Sequence, residues 1–75
     1  MSIIIHLLHI LMRTGTVKFF NESKGFGFIT DAETGQDIFV HISGIKTRDI
    51  KDGDEVNYVE SDGKKGKIAI DVEVL

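Results

Sequence analysis

The sequence predicts an all-β domain, and within that class a small five-stranded antiparallel Greek-key β-barrel. Three observations carry this reading. From Thr14 onward the chain is a succession of short runs of β-forming residues broken by turn residues, with no proline and no second helical stretch. Within the runs, aliphatic residues alternate with residues of another kind, which is the period of a strand and not of a helix. The chain is also short, 75 residues, and a domain of that size buries only roughly 60% of the surface its unfolded chain exposes. Five short strands in so small a chain leave edges that closure into a barrel removes.

The strands are expected near residues 14–21, 24–31, 36–42, 54–60 and 66–74. Between them lie Asn21-Glu22-Ser23, Glu33-Thr34-Gly35, a longer connection from Ser43 to Gly53, and Ser61-Asp62-Gly63-Lys64-Lys65, whose Asp-Gly is a hairpin signal. Alternation then assigns the faces. In IFVHI, Ile38, Val40 and Ile42 share one side while Phe39 and His41 share the other. The aliphatic side belongs inside with Val17, Ile29 and Val56, joined by Ile68, Ile70 and Val72 or their alternates, and this supplies a core without phenylalanine.

The stretch KGFGFIT, Lys24 to Thr30, places Phe26 and Phe28 side by side on one face and Gly25, Gly27 and Ile29 on the other. With the aliphatics inside, the aromatic face looks outward and comprises Phe20, Phe26, Phe28, Phe39 and His41, flanked by Lys18 and Lys24. Burying both faces would need a second layer of protein, which the chain lacks unless its N-terminal segment folds over. An exposed aromatic patch marks a binding site. Unpaired nucleobases suit it: base stacking on an aromatic ring is worth roughly 1–3 kcal/mol, and nearby lysines neutralise the phosphates between bases. A duplex does not suit it, because its bases are already stacked on one another. The expected partners are therefore single-stranded RNA and DNA, captured in a way that shifts hairpins toward the open form by mass action. The rival is a protein-interaction module whose aromatic groove takes a peptide, against which the interleaved lysines argue.

A net charge of −3 means that binding cannot rest on electrostatics alone, since non-specific phosphate binding is carried by surplus Lys and Arg. The cations are unevenly spread. Arg13, Lys18 and Lys24 outnumber Glu22 in the first 30 residues, and most carboxylates lie from Asp31 onward, so the aromatic half is the basic half. With no cysteine there is no disulfide framework and no thiolate metal site, which fits a cytoplasmic location. Enzyme activity is not expected: beyond the N-terminal run the only histidine is His41, and no nucleophile has a recognisable base and orienter. Gly25 and Gly27 lack the third glycine and the strand-to-helix setting of a dinucleotide site, and no cofactor, metal or small-molecule substrate is expected. Asn21-Glu22-Ser23 matches a glycosylation sequon, a coincidence in a chain without a secretory signal.

MSIIIHLLHIL, residues 1–11, is nearly all aliphatic and carries no charged side chain. It lacks the positive leading segment and small-residue cleavage site of a signal peptide, and falls well short of the roughly 20 apolar residues of a membrane-spanning helix. As a helix it would align Ser2, His6, His9 and Arg13 in one polar stripe. We read residues 1–12 as an apolar extension in which Met12 is the native start and the eleven residues before it are upstream sequence or an artificial addition. The alternatives are an oligomer contact, through which 1–12 would self-associate, or an interfacial membrane anchor. Residues 13–75 form the domain proper and are expected to be monomeric. His6 and His9 have a spacing that could share a metal but no third ligand, so a polar helix face is the preferred account.

KGFGFI begins like the ribonucleoprotein motif of RNA-recognition domains, but Asp31 stands where that motif has its last aromatic, and the helices of that domain are missing. GTVKFFNESKGFGFI followed by DIFVHIS instead resembles the bacterial cold-shock domain, from about Arg13 to Leu75. The resemblance implies a five-stranded barrel of OB type and a single-strand RNA and DNA binder of low sequence selectivity, often an RNA chaperone in cold adaptation. By position it implies a nucleic-acid face of Lys18, Phe19, Phe20, Asn21, Lys24, Phe26, Phe28, Phe39 and His41. The chain departs from the family's pattern in four places. Phe19 occupies a place commonly held by tryptophan and Ile42 one commonly held by phenylalanine, which makes the stacking platform smaller. The connection after Ser43 is shorter and lacks an aromatic, with Lys46 and Arg48 as substitutes toward phosphate. KGK replaces the frequent KGP, which frees Lys67 to reach the nucleic acid.

Overall fold

The computed structural model describes residues 12–47, 50–64 and 66–75. Residues 1–11, with the readings of their helix, histidines and self-association, and Arg48 lie outside the described residues. Five strands follow in order: β1 (Met12–Asn21), β2 (Phe26–Asp31), β3 (Asp37–His41), β4 (Glu55–Gly63) and β5 (Gly66–Val74), with one turn of 3-10 helix at Ile42–Gly44 after β3. They close into a barrel in the order β1-β2-β3-β5-β4, with β4 returning to β1. Strands β4-β1-β2-β3 make the Greek key. Four of the ladders are antiparallel, and the seam between β3 and β5 is parallel, pairing Phe39 with Ile68 and Val40 with Ala69.

The boundaries differ from expectation where a local interaction ends or prolongs a strand. β2 begins at Phe26 because the preceding turn is closed by Asn21, whose side-chain Oδ1 accepts the Lys24 N–H at 3.0 Å and whose carbonyl accepts the Gly25 N–H at 2.8 Å. Gly25 completes that turn at φ 75°, a conformation that favours glycine. β4 runs on to Gly63, so the Asp-Gly pair lies in the strand and Lys64 in the turn itself.

Two bulges re-phase the faces. In β1, Val17 pairs with Ile29 and Phe19 with Phe28, which leaves Lys18 as an extra residue. Val17 is buried and Phe19 is turned outward, whereas Phe20 packs against the core. In β5, Ile70 pairs with Val59 and Glu73 with Asn57, so that strand also carries one extra residue, and Asp71 takes a left-handed φ of 52°. Ala69 and Val72 consequently both face inward.

The core comprises Val17, Ile29, Ile38, Val40, Ile50, Val56, Tyr58, Ala69 and Val72. Two expectations need correction, and the choice left open in β5 is decided. Ile42 was assigned inside by alternation, but the chain leaves the strand there and Ile42 is 51% exposed. Ile68 and Ile70 are half-buried, and their alternate Ala69 takes the inner place. The core also holds an aromatic ring, Tyr58, that the aliphatic pattern did not announce.

Gly27 belongs to the first bulge. A β-carbon there would stand 2.8 Å from Phe20 Cα and closer still to the Phe19 carbonyl oxygen, so only glycine lets β1 approach β2 at this point. Gly27→Ala is expected to destabilise the domain by about 1–3 kcal/mol through this overpacking. Urea unfolding checks it: a midpoint equal to that of the wild type contradicts the bulge geometry.

Candidate nucleic-acid interface

The outward face of β1, β2 and β3 carries four phenylalanines in two rows. Phe19, Phe28 and Phe39 are direct cross-strand neighbours, and Phe26 stands opposite His41 in the next row. Phe19 owes its place to the bulge at Lys18; Phe26, Phe28 and Phe39 owe theirs to simple alternation. The rings form a closed circuit. Phe19 meets Phe28 at 5.6 Å and Phe26 at 6.4 Å between centroids, while Phe39 meets each of Phe26 and Phe28 at 5.8 Å. Each ring thus leans on two others, which holds it in orientation without removing it from solvent. Phe19 is 38% exposed and the other three are half-buried.

Polar groups frame the rings. His41 Nδ1 accepts the backbone N–H of Ser43 at 3.1 Å, with Ser43 Oγ 2.9 Å away. A backbone N–H only donates, so in the neutral ring the proton sits on Nε2, which offers a donor. Lys24 is exposed and makes no ion pair among the described residues. Beside Phe28 and Phe39 a groove of about 450 Å³ is lined by Ile68, Gly66, Lys64 and Lys67 from the β4–β5 hairpin.

The expected site residues do not all gather here. Phe20, placed with the other rings by alternation, lies on the far side of the bulge in a separate groove of about 300 Å³ with Ile42, Ile45 and Lys46. The Asn21 side chain is engaged in its turn. Lys18 and Lys67 are adjacent to the aromatic face but carry carboxylate partners, Asp37 at 2.8 Å and Asp62 at 3.1 Å. Sequence reasoning missed Lys64, which the hairpin brings to the groove; its position in the turn and not in the strand was the available signal.

Away from this face, Asp31 is buried at 2% exposure and accepts five hydrogen bonds. Arg13 Nε and Nη2 donate at 2.6 and 3.2 Å, Tyr58 Oη at 2.5 Å, and the N–H groups of Glu33 and Thr34 at 2.8 and 3.0 Å. The network ties β1, β2 and β4 together. It also explains why Asp31 occupies a position at which an RNA-recognition motif would carry an aromatic: here the side chain points into the barrel wall and serves the fold.

Comparison with known proteins follows the same lines. The profile of the 'Cold-shock' DNA-binding domain matches residues 13–75. The chain belongs to the cold-shock domain family. It is 44% identical over 66 residues to the cold shock protein CapB of Pseudomonas syringae pv. tomato, covering 84% of this chain and 94% of that one. It is 47% identical over 64 residues to the cold shock-like protein CspC of Shigella flexneri, covering 81% and 93%. Among solved structures, drosophila Unr CSD456 superposes with a TM-score of 0.71 at 27% identity; the match covers 85% of this chain and 26% of that one. Ag(I)CusF superposes at 0.61 with 19% identity, covering 87% and 96%, a likeness of fold alone. The family is one of nucleic-acid-binding domains and not of enzymes.

Proposed function

We propose that this cold-shock domain binds unpaired RNA and DNA with low sequence selectivity by stacking bases on Phe19, Phe26, Phe28 and Phe39, and acts as an RNA chaperone in cold adaptation or gene regulation. The observation that carries the reading is the circuit of four outward rings, whose π-faces offer every base a stacking surface. His41 Nε2–H offers a hydrogen bond to a base edge, and Lys24 and Lys64 stand at two sides of the rings to meet phosphates. The domain acts as a monomer over residues 13–75 and in the cytoplasm, where it captures open segments and displaces hairpins by mass action. No step in this requires a metal or cofactor.

Titration with heptathymidine across a range of salt concentrations tests the reading. For single strands, log K falls with log salt by roughly 0.7 per phosphate neutralised, so about 2–4 contacts give a slope between about −1.4 and −2.8. A slope near zero, or no binding at all, favours a peptide as the occupant of the aromatic face. A slope several-fold steeper would mean that phosphate attraction and not stacking carries the affinity.

A further inference from the structure

We propose that Asp37 sets the preference of this face for bases over backbone phosphates by holding Lys18 as its own counter-ion at the edge of the rings. This rests on the single-strand reading above. Lys18 Nζ donates to Asp37 Oδ2 at 2.8 Å, and Asp37 Oδ1 accepts from Thr30 Oγ1 at 2.9 Å. Asp37 and Thr30 are cross-strand partners two rungs beyond Phe28 and Phe39, past the inward Ile29 and Ile38, so the carboxylate lies on the same outward face as the rings. It is held from two sides. The lysine, and after it the threonine, lowers the Asp37 pKa below the ordinary carboxylate value, and the group is ionised at neutral pH.

A carboxylate seated on a lysine occupies the place a phosphate oxygen would take. A backbone phosphate drawn to Lys18 must displace Asp37 and then face its uncompensated charge. Lys18 therefore contributes little phosphate attraction, although its position on the bulge beside Phe19 gives it the reach. Phosphate attraction is the part of affinity that duplexes and single strands share, whereas ring stacking is open only to unpaired bases. Suppressing the first while leaving the second intact raises selectivity for open strands. The Lys67–Asp62 pair at 3.1 Å repeats the arrangement by the hairpin, but Asp62 is 88% exposed and has no second donor among the described residues, so Asp37 is the better-fixed competitor.

Asp37→Asn keeps the size of the side chain and an oxygen for Thr30 while removing the charge. The full chain and this variant are titrated with heptathymidine and with a DNA duplex across a range of salt. The variant is expected to bind heptathymidine about threefold tighter, the scale of an exposed ion pair. Its salt slope should steepen by about 0.7, one further phosphate contact, and its duplex affinity should rise by more, because duplex phosphates are denser. Adding Lys18→Met to Asp37→Asn should return the slope to that of the wild type. Weaker binding by Asp37→Asn, an unchanged slope, or a gain that persists in the double variant overturns the proposal. If the wild type fails to bind heptathymidine, the single-strand reading falls with it; if the wild type binds and the variant slope is unchanged, this proposal alone is overturned.

Discussion

Asp31→Ala is expected to lower the stability of the domain by about 3–5 kcal/mol, because it removes the buried partner of the Arg13 ion pair and leaves the guanidinium only the exposed Glu33 carboxylate, 3.4 Å away. Against a whole stability of the order of 5–15 kcal/mol, that is a large share for one side chain. The size follows from what loses a partner: a guanidinium 23% exposed and left with Glu33 alone, the buried Tyr58 hydroxyl, and the N–H groups of Glu33 and Thr34. Thermal or urea unfolding gives the number, and an alanine variant as stable as the wild type would contradict the assignment. The same network imposes a pH window. The hydrogen bond from Arg13, followed by those from Tyr58 and the backbone, holds the Asp31 carboxyl well below its ordinary value of 3.8. Its contribution is therefore complete above that value and is lost as pH falls through the folded one. Burial, followed by the hydrogen bond to Asp31, pushes the Tyr58 phenol above its ordinary value of 10.0. That contribution is complete below pH 10.0 and is lost as pH rises toward the folded value. The melting temperature should form a plateau between these limits and fall on both sides, with the acid limb flattened in Asp31→Asn.

The strands were legible because alternation is a property of the sequence itself: Ile38-Phe39-Val40-His41 divides its side chains as the period of two requires. Alternation also turned Phe26 and Phe28 outward, where the structure has them. It failed where a single extra residue breaks the period. Lys18 in β1 exchanges the places of Phe19 and Phe20, and Asp71 in β5 brings Ala69 and Val72 to the same side. Neither bulge has a composition that separates it from the strand around it; Gly27, which makes room for the first, reads in the sequence only as a gap between rings. Resemblance to the cold-shock family included Phe19 among the outward rings, where alternation did not, but it included Phe20 as well. The Arg13–Asp31–Tyr58 network was illegible for a different reason: its members are 18 and 27 positions apart from Asp31, and only barrel closure brings them together. The ion pairs of Lys18 and Lys67 were likewise hidden, because a lysine near an aromatic reads as available until the carboxylate across the strand is known.

On the proposed reading, stacking and folding are divided between two faces of the same strands, and Phe28 and Val40 allow this division to be tested on adjacent rungs. Phe28 shares the ring circuit and the groove, whereas Val40 is fully buried in the barrel. Phe28→Ala removes a stacking surface and is expected to weaken heptathymidine binding by about 1–3 kcal/mol. Its cost to stability is the loss of two ring contacts, about 1 kcal/mol. Val40→Ala removes two methyl groups from the core and is expected to cost about 2 kcal/mol of stability, with the folded protein binding as before. The decisive measurement is the pair of quantities, melting temperature and heptathymidine affinity, for both variants under one set of conditions. Affinity is expected to fall mainly in Phe28→Ala and stability mainly in Val40→Ala. Unfolding of Phe28→Ala beside an undisturbed Val40→Ala, or full affinity in a folded Phe28→Ala, would contradict this division.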